Sequence, residues 1–216
     1  MTEQRSKPSP YEIVGTLPDW AIKQHIKDGI IGIDPLGENW EQSVDQVTID
    51  LNMGCHVRRF RRGENRRIDL KFTPREEIEK MMEDEEYKPG QAILLTKDDF
   101  ITVATGERLT LPANIQGHLY GKSSLARVGV VVHVSAERFD PGWDGNPTLE
   151  IGTFLDSTDF IFYPGIKICA FSFERLAWEV DVPYMAKPNR SFGGTDKPEV
   201  SNISRSGLVI PQPRLF

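Results

Sequence analysis

The sequence predicts a mainly β protein, a barrel or jelly roll with a short N-terminal helix and one surface helix. Three observations lead there. Short runs of β-type residues follow one another from residue 47 to 120 and again from 129 to 173, with Pro and Gly between them. Only two stretches carry helical periodicity, near residues 19–28 and 74–86. No sharp linker divides the chain, so one domain is expected over 15–182, with a flexible N-terminus at 1–14 and a tail at 183–216.

The elements follow in order. Asp19 offers an N-cap, Ile22, Ile26 and Ile30 recur every fourth residue and Gly29 supplies a stop, which together predict a helix over 19–28. The runs Val47–Leu51, His56–Phe60, Ile68–Phe72, Ala92–Leu95, Phe100–Ala104 and Ile115–Tyr120 read as strands. Arg58, Arg59, Arg61, Arg62, Arg66 and Arg67 bracket the turn signal Gly63-Glu64-Asn65. The basic run therefore reads as a solvated hairpin between His56–Phe60 and Ile68–Phe72, with a subunit contact or an anion site as alternatives. The acidic stretch Pro74–Glu86 fits a surface helix, with Pro74 at a first helical position and Ile78, Met81 and Met82 along one face.

The second strand series is Gly129–Val134, Thr148–Phe154, Phe160–Phe162 and Lys167–Phe173, with turns at Asp140-Pro141-Gly142 and Tyr163-Pro164-Gly165. Beyond it, Pro183, Pro188, Gly193, Gly194, Pro198, Gly207, Pro211 and Pro213 break any long element. This tail reads either as a disordered terminus or as an arm over a ligand or a neighbouring subunit. In the second case Tyr184, Lys187, Arg190 and Phe192 offer stacking and cation contacts to a nucleotide.

Composition narrows the class. With 216 residues and 38% hydrophobic content the chain can bury a sizeable core. No apolar run reaches the roughly 18 residues of a membrane span, and Met1–Pro10 is too polar for a secretory signal, so a cytoplasmic protein with no membrane partner is expected. A net charge of −6 argues against nucleic acid as a partner. Cys55 and Cys169 lie far apart without metal-ligand spacing and read as free thiols.

The chemistry concentrates between residues 121 and 151. In Gly121-Lys122-Ser123-Ser124-Leu125-Ala126-Arg127, hydroxyls, backbone N–H groups and cations converge as donors suited to the oxygens of a triphosphate. Farther on, Leu149 and Ile151 point to one side of a strand and Thr148 and Glu150 to the other, which should line a cavity. A partly desolvated carboxylate there has its pKa raised toward neutrality and can act as a general base. A glutamate on a solvated sheet face is the bland alternative. His133, in the apolar run Val130–Val134, reads as packed and hydrogen-bonded, and Trp143 as wall or core.

Gly121–Arg127, Val132-His133-Val134-Ser135-Ala136, Asp140-Pro141-Gly142-Trp143 and Leu149-Glu150-Ile151 together resemble the dCTP deaminases, members of the trimeric dUTPase-like fold. Upstream, Asp19–Lys23, Ile33-Asp34-Pro35 and Thr48-Ile49-Asp50-Leu51-Asn52-Met53-Gly54 resemble the family's opening helix and its Ser-Val-Asp-Leu-Arg-Leu-Gly strand, so the resemblance runs from about residue 15 to 185. It implies a dUTPase-like β-barrel or jelly roll that hydrolyses the 4-amino group of dCTP to give dUTP and ammonia, without zinc. The chain lacks the His-x-Glu and Pro-Cys-x-x-Cys signature of zinc deaminases.

By the same resemblance Glu150 is the general base, while Ser123 and Arg127 hold the water and support the site. Lys122 and Ser124 bind phosphate, Asp140 faces the deoxyribose, Thr148 and Leu149 flank the base, and the backbone at Val134 and Ala136 reads the cytosine edge. Magnesium enters bound to the triphosphate, and a homotrimer with sites between subunits is implied. This chain has Lys122 where the family carries Arg, either Ser191-Phe192 and Thr195 or else Lys187 without a clear partner where its tail carries Lys-Tyr and Gln, and Glu150-Ile151-Gly152-Thr153 where it reads Glu-Phe-Tyr-Asn. Other readings are a bifunctional enzyme that carries dCTP to dUMP, a dUTPase alone, and a non-catalytic nucleotide-binding regulatory trimer. Ser135-Ala136-Glu137-Arg138 is closer to the deaminase-only pattern.

Overall fold

A computed structural model of the protein describes residues 7–201. The first strands are β1 (Gly15–Thr16), β2 (Gly32–Asp34), β3 (Thr48–Phe60), β4 (Met82–Glu86), β5 (Ile93–Leu95), β6 (Ile101–Thr105) and β7 (Arg108–Thr110). They are followed by β8 (Ile115–Gly121), β9 (Val130–Val131), β10 (Arg138–Phe139), β11 (Asp144–Gly145), β12 (Thr148–Thr153), β13 (Phe160–Phe162) and β14 (Lys167–Arg175). The helices are α1 (Asp19–Lys27), α2 (Arg75–Lys80) and the single turn α3 (Ser123–Ala126).

The main antiparallel sheet runs β10-β8-β14-β3-β6-β12-β9, with β1 added to β14 and β4 to β3. Two smaller sheets, β11-β7-β2 and β13-β5, complete a mainly β fold. Side chains at alternate strand positions, among them Leu51, Met53, Val103, Leu149, Ile151 and Phe171, are buried in one core. Helix α1 adds Ala21, Ile22 and Ile26 to that core. Its cap is Pro18, with Asp19 as the first helical residue, and Gly29 beyond its end has φ 69°, a conformation that glycine adopts without strain.

Several expectations are corrected. The runs expected at 47–51 and 56–60 belong to one strand, β3, which begins at Thr48, and Gly54 lets it approach β6 closely. A Cβ there would lie 2.5 Å from the Ala104 carbonyl oxygen, and the β3–β6 register shifts between Met53 and Val57. The partner of Arg58–Phe60 is β4, not Ile68–Phe72: Arg58 faces Asp84, Arg59 faces Glu83 and Phe60 faces Met82. Half of the expected acidic helix is thus a strand, and only Arg75–Lys80 is helical. Opposite charges across paired strands favour this arrangement over a solvated helix.

Residues 68–72 form no strand because Asp69 organises a turn, accepting hydrogen bonds from the backbone N–H groups of Lys71 (2.8 Å) and Phe72 (3.2 Å). Gly129–Val134 shortens to β9, and the brief strands β1, β2, β7, β10 and β11 lacked any legible pattern. Cys55 and Cys169 are both free, and burial pushes the Cys169 thiol up. Among the described residues no helix is long and apolar enough to cross a membrane.

Candidate active site

Strand β12 carries Leu149 and Ile151 into the core and turns Thr148 and Glu150 the other way, as the period-two pattern requires. On that side lies a cavity of about 610 Å³. Its walls come from four places: Thr148 and Glu150 of β12 with Thr102 of β6, the segment Ala136–Trp143, an apolar cluster around Phe60, Ile78 and Met82, and the chain from Phe192 to Ser201. Val200, 1% exposed, packs with Ile78 and Met82 and holds that last segment in place.

The Glu150 carboxylate is the chemically unusual group. Its side chain is 30% exposed, but Oε2 is buried and has no hydrogen-bond partner. The Nδ1 atom of His133 lies 3.1 Å from that oxygen, yet off the direction of a hydrogen bond, so both ring nitrogens of His133 are also buried and unpartnered. His133 is packed, as its apolar surroundings suggested, but it is not hydrogen-bonded. Buried polar groups without partners are uncommon and costly, so such a cluster beside a cavity marks a place where water, ligand or another subunit completes the bonding.

The Asp140 turn forms one flank. Asp140 receives a hydrogen bond from Arg138 Nε at 3.0 Å and lies 3.6 Å from Lys187 Nζ. Gly142, at φ 78°, lets Pro183 close on the turn, where a Cβ would meet the Pro183 Cβ at 2.5 Å. Trp143 is wall and core together: it is 6% exposed, lines the cavity and stands edge-on to Phe139 at 4.8 Å between centroids. Arg108 grips Asp144 and holds its carboxyl below the usual range. The described part of the tail packs onto this turn through Tyr184 N–H to Pro141 O, Gly194 N–H to Asp144 O and Asn146 N–H to Thr195 O. The Tyr184 hydroxyl accepts from the Phe192 N–H at 3.1 Å.

The site residues expected from sequence fall into two groups. Ala136, Asp140, Thr148, Glu150 and Tyr184 line the cavity, with Lys187 at its edge through Asp140. Lys122, Ser123, Ser124 and Arg127 do not line it, and Ser123, Ser124 and Arg127 are exposed around α3, which packs beside β9. Strand β9 pairs with the far end of β12 at Gly152 and Thr153. Val134 is exposed outside the cavity. The Leu149 side chain is wholly buried in the core, on the side of β12 away from Glu150. Sequence reasoning missed Thr102 and the apolar wall of Phe60, Ile78 and Met82, whose nearness to β12 depends on long-range strand pairing.

The fold and cavity define a β protein whose sheet carries an under-bonded carboxylate into a nucleotide-sized pocket. A profile described as "dCTP deaminase-like" matches residues 16–176. The dCTP deaminase of Alteromonas mediterranea is 39% identical over 194 residues, covering 87% of this chain and 96% of its own. That of Idiomarina loihiensis is 37% identical over 198 residues, covering 88% and 98%. Among solved structures, the 2'-deoxycytidine 5'-triphosphate deaminase of Agrobacterium tumefaciens shares the fold with a TM-score of 0.57 at 18% identity, over 75% of this chain and 47% of that one. This chain belongs to the dCTP deaminase-like family.

Proposed function

We propose that the protein hydrolyses dCTP to dUTP and ammonia, with Glu150 as general base. The observation that carries this reading is the buried, unpartnered Oε2 of Glu150 at a cavity of about 610 Å³, in a chain related over nearly its whole length to named dCTP deaminases. Glu150 takes a proton from water as the hydroxide adds to C4 of cytosine and passes it to N3. It then carries the proton of the new C4 hydroxyl to the amino nitrogen, so that the C4–N bond breaks, ammonia leaves and the C4 carbonyl forms. His133, 3.1 Å away, orients that carboxylate once a ligand or water draws the two groups into line. Thr148 and Asp140 bound the space for base and sugar.

The cations for the phosphates are Lys122 and Arg127, with the hydroxyls of Ser123 and Ser124. These residues lie outside the chain's own cavity, and the exposed apolar residues Val128, Phe154 and Leu155 lie at the end of their loop, the last two against Gly129. Both facts support a homotrimer in which the loop of one copy serves the cavity of the next. Magnesium belongs to the substrate in this reading, held by phosphate oxygens and water. Among the described residues no group of three or more His, Cys, Asp or Glu is placed to hold a metal ion.

The test is to incubate purified protein with dCTP and magnesium while following ammonia, dUTP, dUMP and diphosphate. Ammonia and dUTP in equal amounts are expected. Appearance of dUMP with diphosphate would mean a bifunctional enzyme, and binding without any product would mean a nucleotide-binding protein.

A further inference from the structure

Two lysines meet on one carboxylate beside the 121–127 loop. Lys122 donates to Asp50 Oδ1, and Lys167 Nζ lies 3.5 Å from Asp50 Oδ2. The Asp50 side chain is 17% exposed, those of Lys122 and Lys167 29% and 49%, so the group opens to solvent. Two ammonium groups share one carboxylate here, with Glu107 beyond them on Asn52, and Asp50 offsets the repulsion that would otherwise drive the lysines apart.

The sheet register shows how Lys167 reaches this place. Residues facing each other across paired strands share a side of the sheet. Ala170 faces Asp50 on one neighbour and Tyr120 on the other. Regular counting along β14 would bring Ile168 opposite Asn52, on the Asp50 side. Instead the register shifts between Lys167 and Cys169, and Lys167 faces Asn52. The irregularity lets the consecutive residues Ile168 and Cys169 both enter the core and re-aims Lys167 toward Asp50 and Lys122, the usual effect of a bulge.

We infer that Lys167 is a second phosphate-binding residue, acting with Lys122 as a two-point clamp on a polyphosphate, and that Asp50 is the positioning residue that spaces them. The inference rests on the reading above, in which the phosphates bind at the 121–127 loop. A guanidinium at position 122 would present two parallel donors, whereas lysine presents one compact charge. Lys167 supplies the second point. Strand β3 brings no cation of its own there, since Asn52 stands where the resembling strand has arginine. A chain of phosphates spans both ammonium groups, while a monophosphate engages one.

The experiment compares wild type, Lys167→Ala and Lys167→Arg in the full-length protein, measuring kcat and KM for dCTP and inhibition by dCMP. Lys167→Ala is expected to raise the KM for dCTP about tenfold while kcat and dCMP inhibition change less than about twofold, and Lys167→Arg to restore most of the loss. An unchanged KM for dCTP, or equal losses for dCTP and dCMP, would overturn the clamp. Calorimetry with inorganic tripolyphosphate separates the two claims. Wild-type binding that Lys167→Ala weakens, in a protein that does not deaminate dCTP, would sink the proposed function and leave the clamp standing. Normal deamination with unaltered tripolyphosphate and dCTP constants in Lys167→Ala would do the reverse.

Discussion

Two regions of the molecule bury ionisable groups, and they treat them in opposite ways. Where β3 meets the turn between β5 and β6, Arg59 is 4% exposed and Asp99 7% exposed, and their hydrogen-bonding capacity is met. Arg59 donates to Glu85 at 2.8 Å, to Leu94 O at 3.3 Å and to the Tyr87 hydroxyl at 3.3 Å, and its Nη1 lies 3.4 Å from Asp99. Asp99 also accepts two bonds from Arg62 and two from Thr96. At β12 the Glu150 oxygen and both His133 nitrogens are buried with nothing aligned to them. A saturated network holds structure together, and an unsaturated one beside a cavity is poised for a ligand. Arg59 and Arg62 therefore belong to the fold, while Glu150 is the group on which the proposed function calls.

The sharpest way to break this contrast is to change Glu150. Glu150→Gln should lower the deamination rate about a thousandfold while nucleotide binding and the unfolding midpoint stay close to wild type. Near-normal turnover would remove Glu150 from its role. The converse change is Asp99→Ala, which leaves Arg59 and Arg62 without a shared partner. It should cost about 3 kcal/mol in denaturant unfolding, with turnover per folded molecule retained.

The same network gives a pH dependence. Burial alone would raise the Asp99 carboxyl, but the Arg62 and Thr96 donors outweigh it and hold the group below its ordinary value. The unfolded chain then binds the proton more readily. Asp99 therefore stabilises the fold fully above the unfolded pKa of about 3.9, and that share is lost as pH falls through the lower folded value. In acid unfolding curves, the stability difference between wild type and Asp99→Asn should shrink as pH falls below the unfolded value and vanish below the lower folded one. Curves that stay parallel would show that Asp99 is not the titrating group. The smallest effect is expected for Arg58→Ala. Its partner Asp84 is 67% exposed, so the loss should stay under about 1 kcal/mol.

Much of this was legible in the sequence, and the exceptions share a cause. The helix at 19–27 and the alternation along β12 follow from local periodicity. The fate of Met82–Glu86 did not, because an acidic stretch with apolar residues at helical spacing satisfies α2 and β4 equally until an arginine strand is placed beside it. The Ile68–Phe72 strand failed for a local reason, a turn at Asp69, that its apolar alternation concealed. Leu149 shows the opposite case: its burial was implied by the same alternation that pointed Glu150 outward.

Alternating hydrophobicity and motif spacing determined by themselves that the protein is mainly β, that Glu150 faces away from the core, and which family its motifs resemble. Those are properties of neighbouring residues, and a chain carries them wherever it folds. Only the tertiary structure decided that His133 lies against Glu150, that Val200 brings the tail to the cavity, that Arg58, Arg59 and Arg61 pair with carboxylates of β4, and that an irregularity in β14 delivers Lys167 to Asp50. Each joins residues distant in sequence or depends on a shift of register, and pairing across strands is set by the whole sheet rather than by either strand alone.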